Sequence, residues 1–283
     1  MYTGFSSLVK REGIEEGARF ASEMGFSSVE FFDMAGREGY AHVFDGVASA
    51  KAAKKALSDR GLSVSCYSVG GNLVSIKDGV HRKEQTVAEL KNHAKIAAAL
   101  GSPFLHHTLI FGLTVPPAAP SLDDVLMPTV DAAVDVARYC EELGLTCIYE
   151  GQGMYFNGVE AFGRFFREMK KHCPNVGVCG DLGNTFFVDE APVDFFSAFA
   201  DDICHVHIKD YRYTRTPSDK DAYAFRSRGG AYLKSALVGA GDANVGACLE
   251  ILKQHGYRGA FSLEDDSDMP LSERISAARA FFA

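Results

Sequence analysis

Four side chains of the types that bind metal ions follow apolar runs in the second half of the chain. Glu150 ends TCIYE, Asp181 ends VGVCGD, His207 lies in ICHVHIKD, and Glu264 ends GAFSLE. If all four point to one place, three carboxylates and one imidazole form a cluster that is costly unless a cation or protons neutralise it. The alternative is that strands end in polar residues because they reach solvent, which explains one such residue more readily than all four.

This combination of side chains indicates which ion would neutralise the cluster. Oxygen ligands with a single nitrogen suit Mn, Mg or Co better than a structural zinc site, which would normally use thiolates. We therefore predict one divalent metal ion, with manganese as the first choice and Mg, Co or Zn as alternatives. His205 lies two residues before His207 and one layer deeper, and we interpret it as a packed, hydrogen-bonded core histidine.

Helical patterns that end in glycine and pass into a short apolar run recur along the chain. Gly25, Gly61, Gly101, Gly144 and Gly256 fit the position just past a helix end, where the backbone is left-handed. The spacing of the first four, about 40 residues, matches one strand-loop-helix-loop unit. The pattern predicts strands near 3–9, 27–32, 62–68, 103–109, 145–150, 176–181, 203–208 and 260–264, and helices near 13–24, 47–59, 83–100, 122–143, 158–172, 191–200, 243–255 and 271–282.

Eight such units predict an α/β fold, a (β/α)8 TIM barrel of parallel strands with helices outside, in a single domain over residues 1–283. The alternative is an open doubly wound sheet, but nothing like G-x-G-x-x-G follows the first predicted strand. In a barrel, the active site lies at the carboxyl ends of the strands, where the four candidate ligands fall. The long connection between the seventh strand and its helix, at about 210–242, is rich in Arg, Tyr, Gly and Ser and is predicted to be a lid or substrate-contacting loop.

Composition and charge exclude several classes of protein. The 29 Lys and Arg residues against 37 Asp and Glu residues give a net charge of -8, the wrong sign for a protein that binds nucleic acid through its phosphates. Seven cysteines without a C-x-x-C pair resemble reduced core residues. The first residues lack the features of a signal peptide, and no apolar run approaches the ~18 residues that span a bilayer. We therefore expect a soluble cytoplasmic protein without a membrane or nucleic-acid partner.

Five motifs resemble those of the xylose-isomerase-like TIM barrels, specifically the sugar phosphate isomerase/epimerase group, and the resemblance covers nearly the whole chain. The motifs are YEGQG at 149–153, CGDLGN at 179–184, HVHIKD at 205–210, GAGD at 239–242 and GYRGAFSLE at 256–264. The resemblance implies one metal ion bound by Glu150, Asp181, His207 and Glu264. It also implies that Glu150 and Glu264 act as acid and base on opposite faces of the substrate, with Asp181 and His207 serving only as ligands.

The resemblance predicts a metal-dependent sugar isomerase or epimerase that moves a proton next to a carbonyl. Two positions depart from the epimerase pattern: Asn184 stands where those enzymes have a substrate-binding histidine, and Gly151 and Gln152 stand where Asn and His often follow the glutamate. Amides at Asn184 and Gln152 orient hydroxyls but carry no charge. A dehydratase or lyase acting on a keto-polyol, keto-inositol or keto-glycoside is therefore the alternative, because relatives of that kind also begin by removing a proton beside a carbonyl.

An abasic-site endonuclease is a distant third hypothesis, since that chemistry uses three metals and extra histidines and the chain is acidic. A non-catalytic sugar-binding barrel would not need four charged ligands. We expect the partner to be a small-molecule sugar or keto-polyol, and the chain could form a homo-oligomer.

Further substrate contacts are predicted from their positions near strand ends. Lys209 shares the face of His207 and could neutralise a substrate oxygen, while a surface ion pair is the alternative. Arg212 in the long loop could bind a hydroxyl or carboxylate, although an Arg in such a loop is more often solvated. His107 is favoured over His106 for the cavity, with packing as the alternative, and Glu30 could hold a sugar hydroxyl or lie at the surface.

Overall fold

The structure is a computed structural model that describes residues 3–77, 79–112, 118–220 and 222–282. The helices are α1 (Thr3–Glu12), α2 (Ile14–Glu23), α3 (Val47–Ser58), α4 (Glu84–Leu100), α5 (Leu122–Glu142), α6 (Val159–His172), α7 (Pro192–Phe199), α8 (Val245–Gln254) and α9 (Leu271–Arg279), with a 3₁₀ turn at Asn184–Val188. The strands are β1 (Ser28–Met34), β2 (Ser63–Gly70), β3 (Val74–Ser75), β4 (His81–Arg82), β5 (Phe104–His107), β6 (Thr146–Glu150), β7 (Val176–Asp181), β8 (Ile203–Ile208), β9 (Asp210–Thr214), β10 (Phe225–Arg226), β11 (Tyr232–Ala236) and β12 (Phe261–Leu263).

Seven of the described strands form one sheet in the order β1-β2-β5-β6-β7-β8-β12, and each of them is followed by a helix. Strand-helix alternation with parallel pairing is the arrangement of a TIM barrel, which confirms the predicted fold class. The glycines predicted to follow helices have backbone φ angles of 71° to 76°, as a left-handed helix end requires. No helix in the described ranges combines the length and apolarity needed to cross a membrane.

The first of two compact units comprises Met1–Phe111, Ala118–Tyr149 and Phe165–Gly177. Within it β1 pairs with β2, β2 with β5 and β5 with β6, all in parallel. Helix α4 packs against both α3 and α5. The strands carry buried side chains on both faces, as expected for parallel strands that helices cover.

The second unit comprises Gly112–Pro117, Glu150–Arg164 and Val178–Ala283. Here β8 pairs in parallel with β7 on one side and with β12 on the other, and α7 packs against α8. The carboxyl ends of these three strands therefore lie side by side, which brings their terminal residues together.

The predicted strand at 3–9 is wrong, because these residues form helix α1. Phe5 and Val9 are both buried, and their four-residue spacing places them on one face of a helix. Phe5 contacts Phe31 of β1, with ring centroids 5.3 Å apart, and the hydroxyl of Ser6 accepts a hydrogen bond from the Phe32 N–H. The short apolar pattern was compatible with either element, and contact with β1 selects the helix.

The long connection predicted at 210–242 contains a three-stranded antiparallel sheet in the order β10-β11-β9. Its role as a lid or substrate-contacting loop remains a prediction. All seven cysteines are free thiols and six are buried, in agreement with their interpretation as reduced core residues.

Candidate metal centre and active site

The four predicted metal ligands converge in the second unit. Glu150 ends β6, Asp181 ends β7 directly beside His207 of β8, and Glu264 follows β12. One ligand atom from each lies within 4.8 Å of all the others. His207 Nδ1 is 3.2 Å from Glu264 Oε2, 3.7 Å from Glu150 Oε1 and 3.8 Å from Asp181 Oδ2.

Burial makes this concentration of negative charge expensive. The side chains of His207, Asp181 and Glu150 are 0%, 2% and 3% exposed, and that of Glu264 is 16% exposed. Burial, together with the neighbouring carboxylates, raises the pKa of Asp181 to about 8, although Lys209 opposes the shift. Burial also raises the pKa of Glu264, for which Lys209 and His207 act in the opposite direction. The cluster therefore favours a species that brings positive charge.

The arrangement of Asp181 fits a metal ligand. Its Oδ1 atom accepts hydrogen bonds of 2.8 Å from the backbone N–H groups of Gly183 and Asn184. These bonds fix the carboxylate so that Oδ2 is the oxygen that approaches His207 and Lys209. Three carboxylates and one imidazole, already assembled, are a donor set that one divalent ion of the Mn, Mg or Co type can occupy.

Lys209 is a fifth member of the cluster. Its Nζ atom lies 2.8 Å from Asp181 Oδ2 and 3.3 Å from Glu264 Oε2, and its side chain is 7% exposed. Burial by itself would lower the pKa of Lys209, but the carboxylates of Asp181, Glu264 and Glu150 together raise it well above its ordinary value. Lys209 is therefore a buried ammonium among the candidate ligands.

Asn184 holds two of the ligands at once. Its side-chain amide donates a hydrogen bond to Glu150 Oε1, and its backbone N–H is one of the two donors to Asp181. Asn157 in turn donates from Nδ2 to the carbonyl of Asn184 at 2.8 Å and to that of Gly153 at 3.0 Å. The sequence did not indicate this role of Asn157, since the contact joins residues 27 apart in the chain.

The GAGD motif forms a turn around the carboxylate of Asp210, which is not one of the four candidate ligands. Asp210, which follows Lys209, accepts hydrogen bonds from the backbone N–H groups of Gly239, Gly241 and Ala243 at 2.9 to 3.0 Å. A side chain at 241 would overlap the Asp210 carboxylate, which explains a glycine there. The turn fixes the backbone immediately after Lys209.

Two further predicted substrate contacts, Gln152 and Arg212, lie in the segments that follow β6 and β8. Gln152 is in the loop after β6, where its backbone N–H donates to the Phe156 carbonyl at 3.1 Å. Arg212 is exposed on β9, pairs in register with Lys234, and has its guanidinium 4.0 Å from Asp242 Oδ1. Because side chains alternate along a strand, Arg212 points to the opposite face from Tyr211. Contacts of Gln152 and Arg212 with substrate remain predictions.

The remaining two candidates belong to the first unit and are buried. His107 Nδ1 donates to the Thr108 carbonyl at 3.1 Å, and burial lowers the pKa of His107 to about 4, so its ring is neutral. Glu30 is fully buried and accepts a 2.6 Å hydrogen bond from the Ser68 hydroxyl, which excludes the surface alternative for Glu30. The substrate roles of both residues remain predictions.

His205 is placed as predicted for a core histidine. It is fully buried, and its Nε2 lies 3.2 Å from the Ser262 hydroxyl.

Comparison with solved structures shows the same fold at low sequence identity. A 3-keto-D-glucoside 4-epimerase from E. coli matches with a TM-score of 0.70 and 19% identity, over 96% of this chain and 94% of that chain. A xylose isomerase-like TIM barrel protein from Mycobacterium smegmatis in complex with magnesium matches with a TM-score of 0.68 and 15% identity, over 94% and 86%. The probable 3-DHS dehydratase AsbF from Bacillus anthracis matches with a TM-score of 0.63 and 14% identity, over 93% and 90%.

Sequence comparison identifies the family. A search of curated protein sequences gave no significant match. The family model described as xylose isomerase-like TIM barrel matches residues 18–283, which includes all four candidate ligands and the loops that hold them. The chain therefore belongs to the xylose isomerase-like TIM barrel family.

Proposed function

We propose that the protein is a divalent-metal-dependent sugar isomerase or epimerase that transfers a proton next to a substrate carbonyl. The observation that carries the proposal is the buried cluster of Glu150, Asp181, His207 and Glu264, whose ligand atoms lie within 4.8 Å of one another. The four side chains form a metal-ligand set, and the two glutamates among them are also able to accept and donate a proton.

Glu150, Asp181, His207 and Glu264 would hold the ion, with Mn proposed first. The magnesium complex of the M. smegmatis protein is consistent with a divalent ion on this fold. When bound, the ion polarises the substrate carbonyl and an adjacent hydroxyl, and this acidifies the neighbouring C–H bond.

The remaining steps belong to side chains of this chain. One of the two glutamates, Glu150 or Glu264, removes the proton, and the other returns it at the neighbouring carbon or on the opposite face, giving isomerisation or epimerisation respectively. The Lys209 ammonium would stabilise negative charge that develops on a substrate oxygen. Asn184 orients Glu150 through its hydrogen bond to Oε1. The substrate contacts that we propose are Asn184, Gln152, Lys209, Arg212, His107 and Glu30.

A metal-dependent dehydratase or lyase is the second candidate. The amides of Asn184 and Gln152 stand where the epimerases of this group have side chains that can carry charge, and one protein with this fold is named as a probable dehydratase. Both reactions begin with removal of a proton beside a carbonyl, so the cluster is compatible with either. The two reactions differ in the next step: a dehydratase or lyase then expels water or an aglycone, whereas an isomerase or epimerase returns the proton.

The test is incubation of the Mn-loaded protein in deuterated water with a panel of ketoses, keto-inositols and 3-keto-glycosides, read by NMR. We expect deuterium to enter both the recovered substrate and an isomer or epimer. Loss of water or of an aglycone would instead support the second candidate. If no compound exchanges hydrogen faster in the presence of the Mn-loaded protein than in its absence, the proposal is overturned.

A further inference from the structure

Lys209 places a permanent positive charge inside the candidate metal centre. Its Nζ atom contacts Asp181 Oδ2 at 2.8 Å and Glu264 Oε2 at 3.3 Å, from a side chain that is 7% exposed. An ammonium has three donors and no lone pair, so Lys209 cannot itself be a metal ligand. It nevertheless adds one unit of charge a few ångströms from the position that the four ligands surround.

The charges in the cluster can be counted directly. Metal binding requires ionised carboxylates and a neutral imidazole, so Glu150, Asp181 and Glu264 contribute three negative charges. Lys209 reduces the total to two negative charges, which one divalent cation balances. Without Lys209 the same ligands would carry three negative charges, which a trivalent cation balances. In a buried site such a difference of one charge is weakly screened by solvent and salt.

We propose that Lys209 is a specificity-determining residue that sets the ionic charge accepted by the centre, favouring divalent over trivalent cations and stabilising the metal-free protein as an internal counter-ion. This inference rests on the proposed metal-dependent function and deepens it. It differs from a role in substrate binding, because it concerns the ion and the protein in the absence of substrate.

The metal-free protein supplies an independent consequence. Removing one partner of a buried ion pair leaves the other charge uncompensated and is strongly destabilising. Lys209→Met keeps much of the apolar stem and deletes only the ammonium that contacts Asp181 and Glu264. The metal-free variant should therefore melt several degrees below the metal-free wild type. Addition of metal should recover more of the melting temperature in the variant than in the wild type.

The charge preference is tested by competition between Tb³⁺ and Mn²⁺. The chain has 11 Tyr and no Trp, and the buried Tyr211 interacts electrostatically with Lys209 and Asp181, so tyrosine-sensitised Tb³⁺ luminescence reports on occupancy. We expect Lys209→Met to shift the ratio of the Tb³⁺ and Mn²⁺ affinities at least tenfold toward Tb³⁺. Lys209→Arg, which keeps the charge, and Lys253→Met, which removes a lysine whose side chain is 80% exposed on α8, should retain the wild-type ratio.

The outcomes separate this inference from the proposed function. If the wild type binds Mn²⁺ but Lys209→Met leaves the affinity ratio unchanged, or if its metal-free form melts at or above the wild-type temperature, the role of Lys209 is refuted while the metal centre stands. If Lys209→Met does not fold, Lys209→Gln takes its place in both measurements. If the wild type binds neither ion, the metal-dependent function itself fails.

Discussion

The side-chain amide of Asn184 donates a hydrogen bond to Glu150 Oε1, so a residue from the turn after β7 orients the glutamate that ends β6. The backbone N–H of the same residue donates to Asp181 Oδ1 at 2.8 Å. One residue thus fixes two carboxylates of the cluster, and Asn157 Nδ2 donates a hydrogen bond to its carbonyl. Partners that orient metal ligands in this way influence both metal affinity and activity.

Asn184→Ala should lower the Mn²⁺ affinity and the rate of substrate deuterium exchange by roughly 10- to 100-fold each, the range seen when a partner of a metal ligand is removed. The hydrogen bond from the backbone N–H to Asp181 persists in this variant, so the loss of Mn²⁺ affinity, measured without substrate, reports on the orientation of Glu150. Calorimetric Mn²⁺ titration and NMR exchange measure the two effects. Asn92→Ala, at an exposed position on α4, is the control and should change neither. An unaltered Mn²⁺ affinity in Asn184→Ala would contradict the orienting role.

Replacement of either glutamate by its amide should strongly lower turnover while the fold is retained. Glu150→Gln and Glu264→Gln each remove a group that accepts or donates the proton, and we expect kcat to fall by about 10²- to 10⁴-fold. One of the two variants should still exchange substrate hydrogen with deuterated solvent, because the remaining glutamate can remove and return the proton on its own face. Glu250→Gln, exposed on α8, should behave as the wild type. Full turnover in either site variant would exclude that glutamate from proton transfer.

Removal of the ion should lower the melting temperature of the protein. A ligand that binds only the folded state adds about 2.7 kcal/mol of stability at 100 times its Kd. The wild type should therefore show a clear difference between calorimetric scans in Mn²⁺ and in chelator. Asp181→Asn, which keeps an oxygen able to accept the two backbone hydrogen bonds but loses the charge, should lose most of this difference. Asp201→Asn, at a side chain that is 85% exposed, should keep it.

Local sequence patterns were sufficient to predict the seven parallel strands and to identify the four candidate ligands that lie together in the structure. Glu150, Asp181 and Glu264 each follow an apolar run directly, and parallel strands bring such terminal residues to one edge of the sheet. The two-residue spacing of His207 and Lys209 likewise placed both on the same face. The prediction failed at residues 3–9, where a short apolar pattern fits a strand or a helix and only the contact with β1 decides between them.

Contacts between distant loops could not be predicted from local patterns. Asn157 reaches the carbonyl of Asn184 across 27 residues, and the carboxylate of Asp189 bonds to Ser227 across 38 residues. The residues next to Asn157 and Asp189 in the sequence do not indicate these hydrogen-bond partners. The partners depend on which loops come together after the strands have paired. Lys209 was predicted near the substrate, but its two contacts with carboxylates depend on the same tertiary arrangement.

Asp189 connects the loop after β7 to the segment that contains the antiparallel sheet. Its carboxylate accepts hydrogen bonds from the Tyr213 hydroxyl at 2.7 Å, the Ser227 hydroxyl at 2.6 Å and the Gly229 N–H at 2.6 Å. Burial acts to raise the pKa of Asp189, but the hydrogen bonds from Ser227, Tyr213 and Gly229 outweigh it and lower the pKa. The carboxylate is therefore ionised at neutral pH and makes charge-assisted hydrogen bonds.

Asp189→Gly should release the antiparallel sheet without unfolding the rest of the chain. The backbone at 189 is left-handed, with φ of 63°, so glycine removes the carboxylate without adding strain. The substitution removes these three hydrogen bonds and a fourth, 3.3 Å long, from the Arg215 guanidinium. A hydrogen bond to a charged group contributes roughly 1.5 to 3 kcal/mol to stability, so the segment containing β9 to β11 should open more often. Trypsin should then cut after Arg212, Arg215, Arg226 or Arg228 faster than in the wild type, as mass spectrometry of the fragments would reveal. Asp268→Gly, at an exposed position, should leave the cleavage rate unchanged, and equal rates in Asp189→Gly and the wild type would show that other contacts hold the sheet in place.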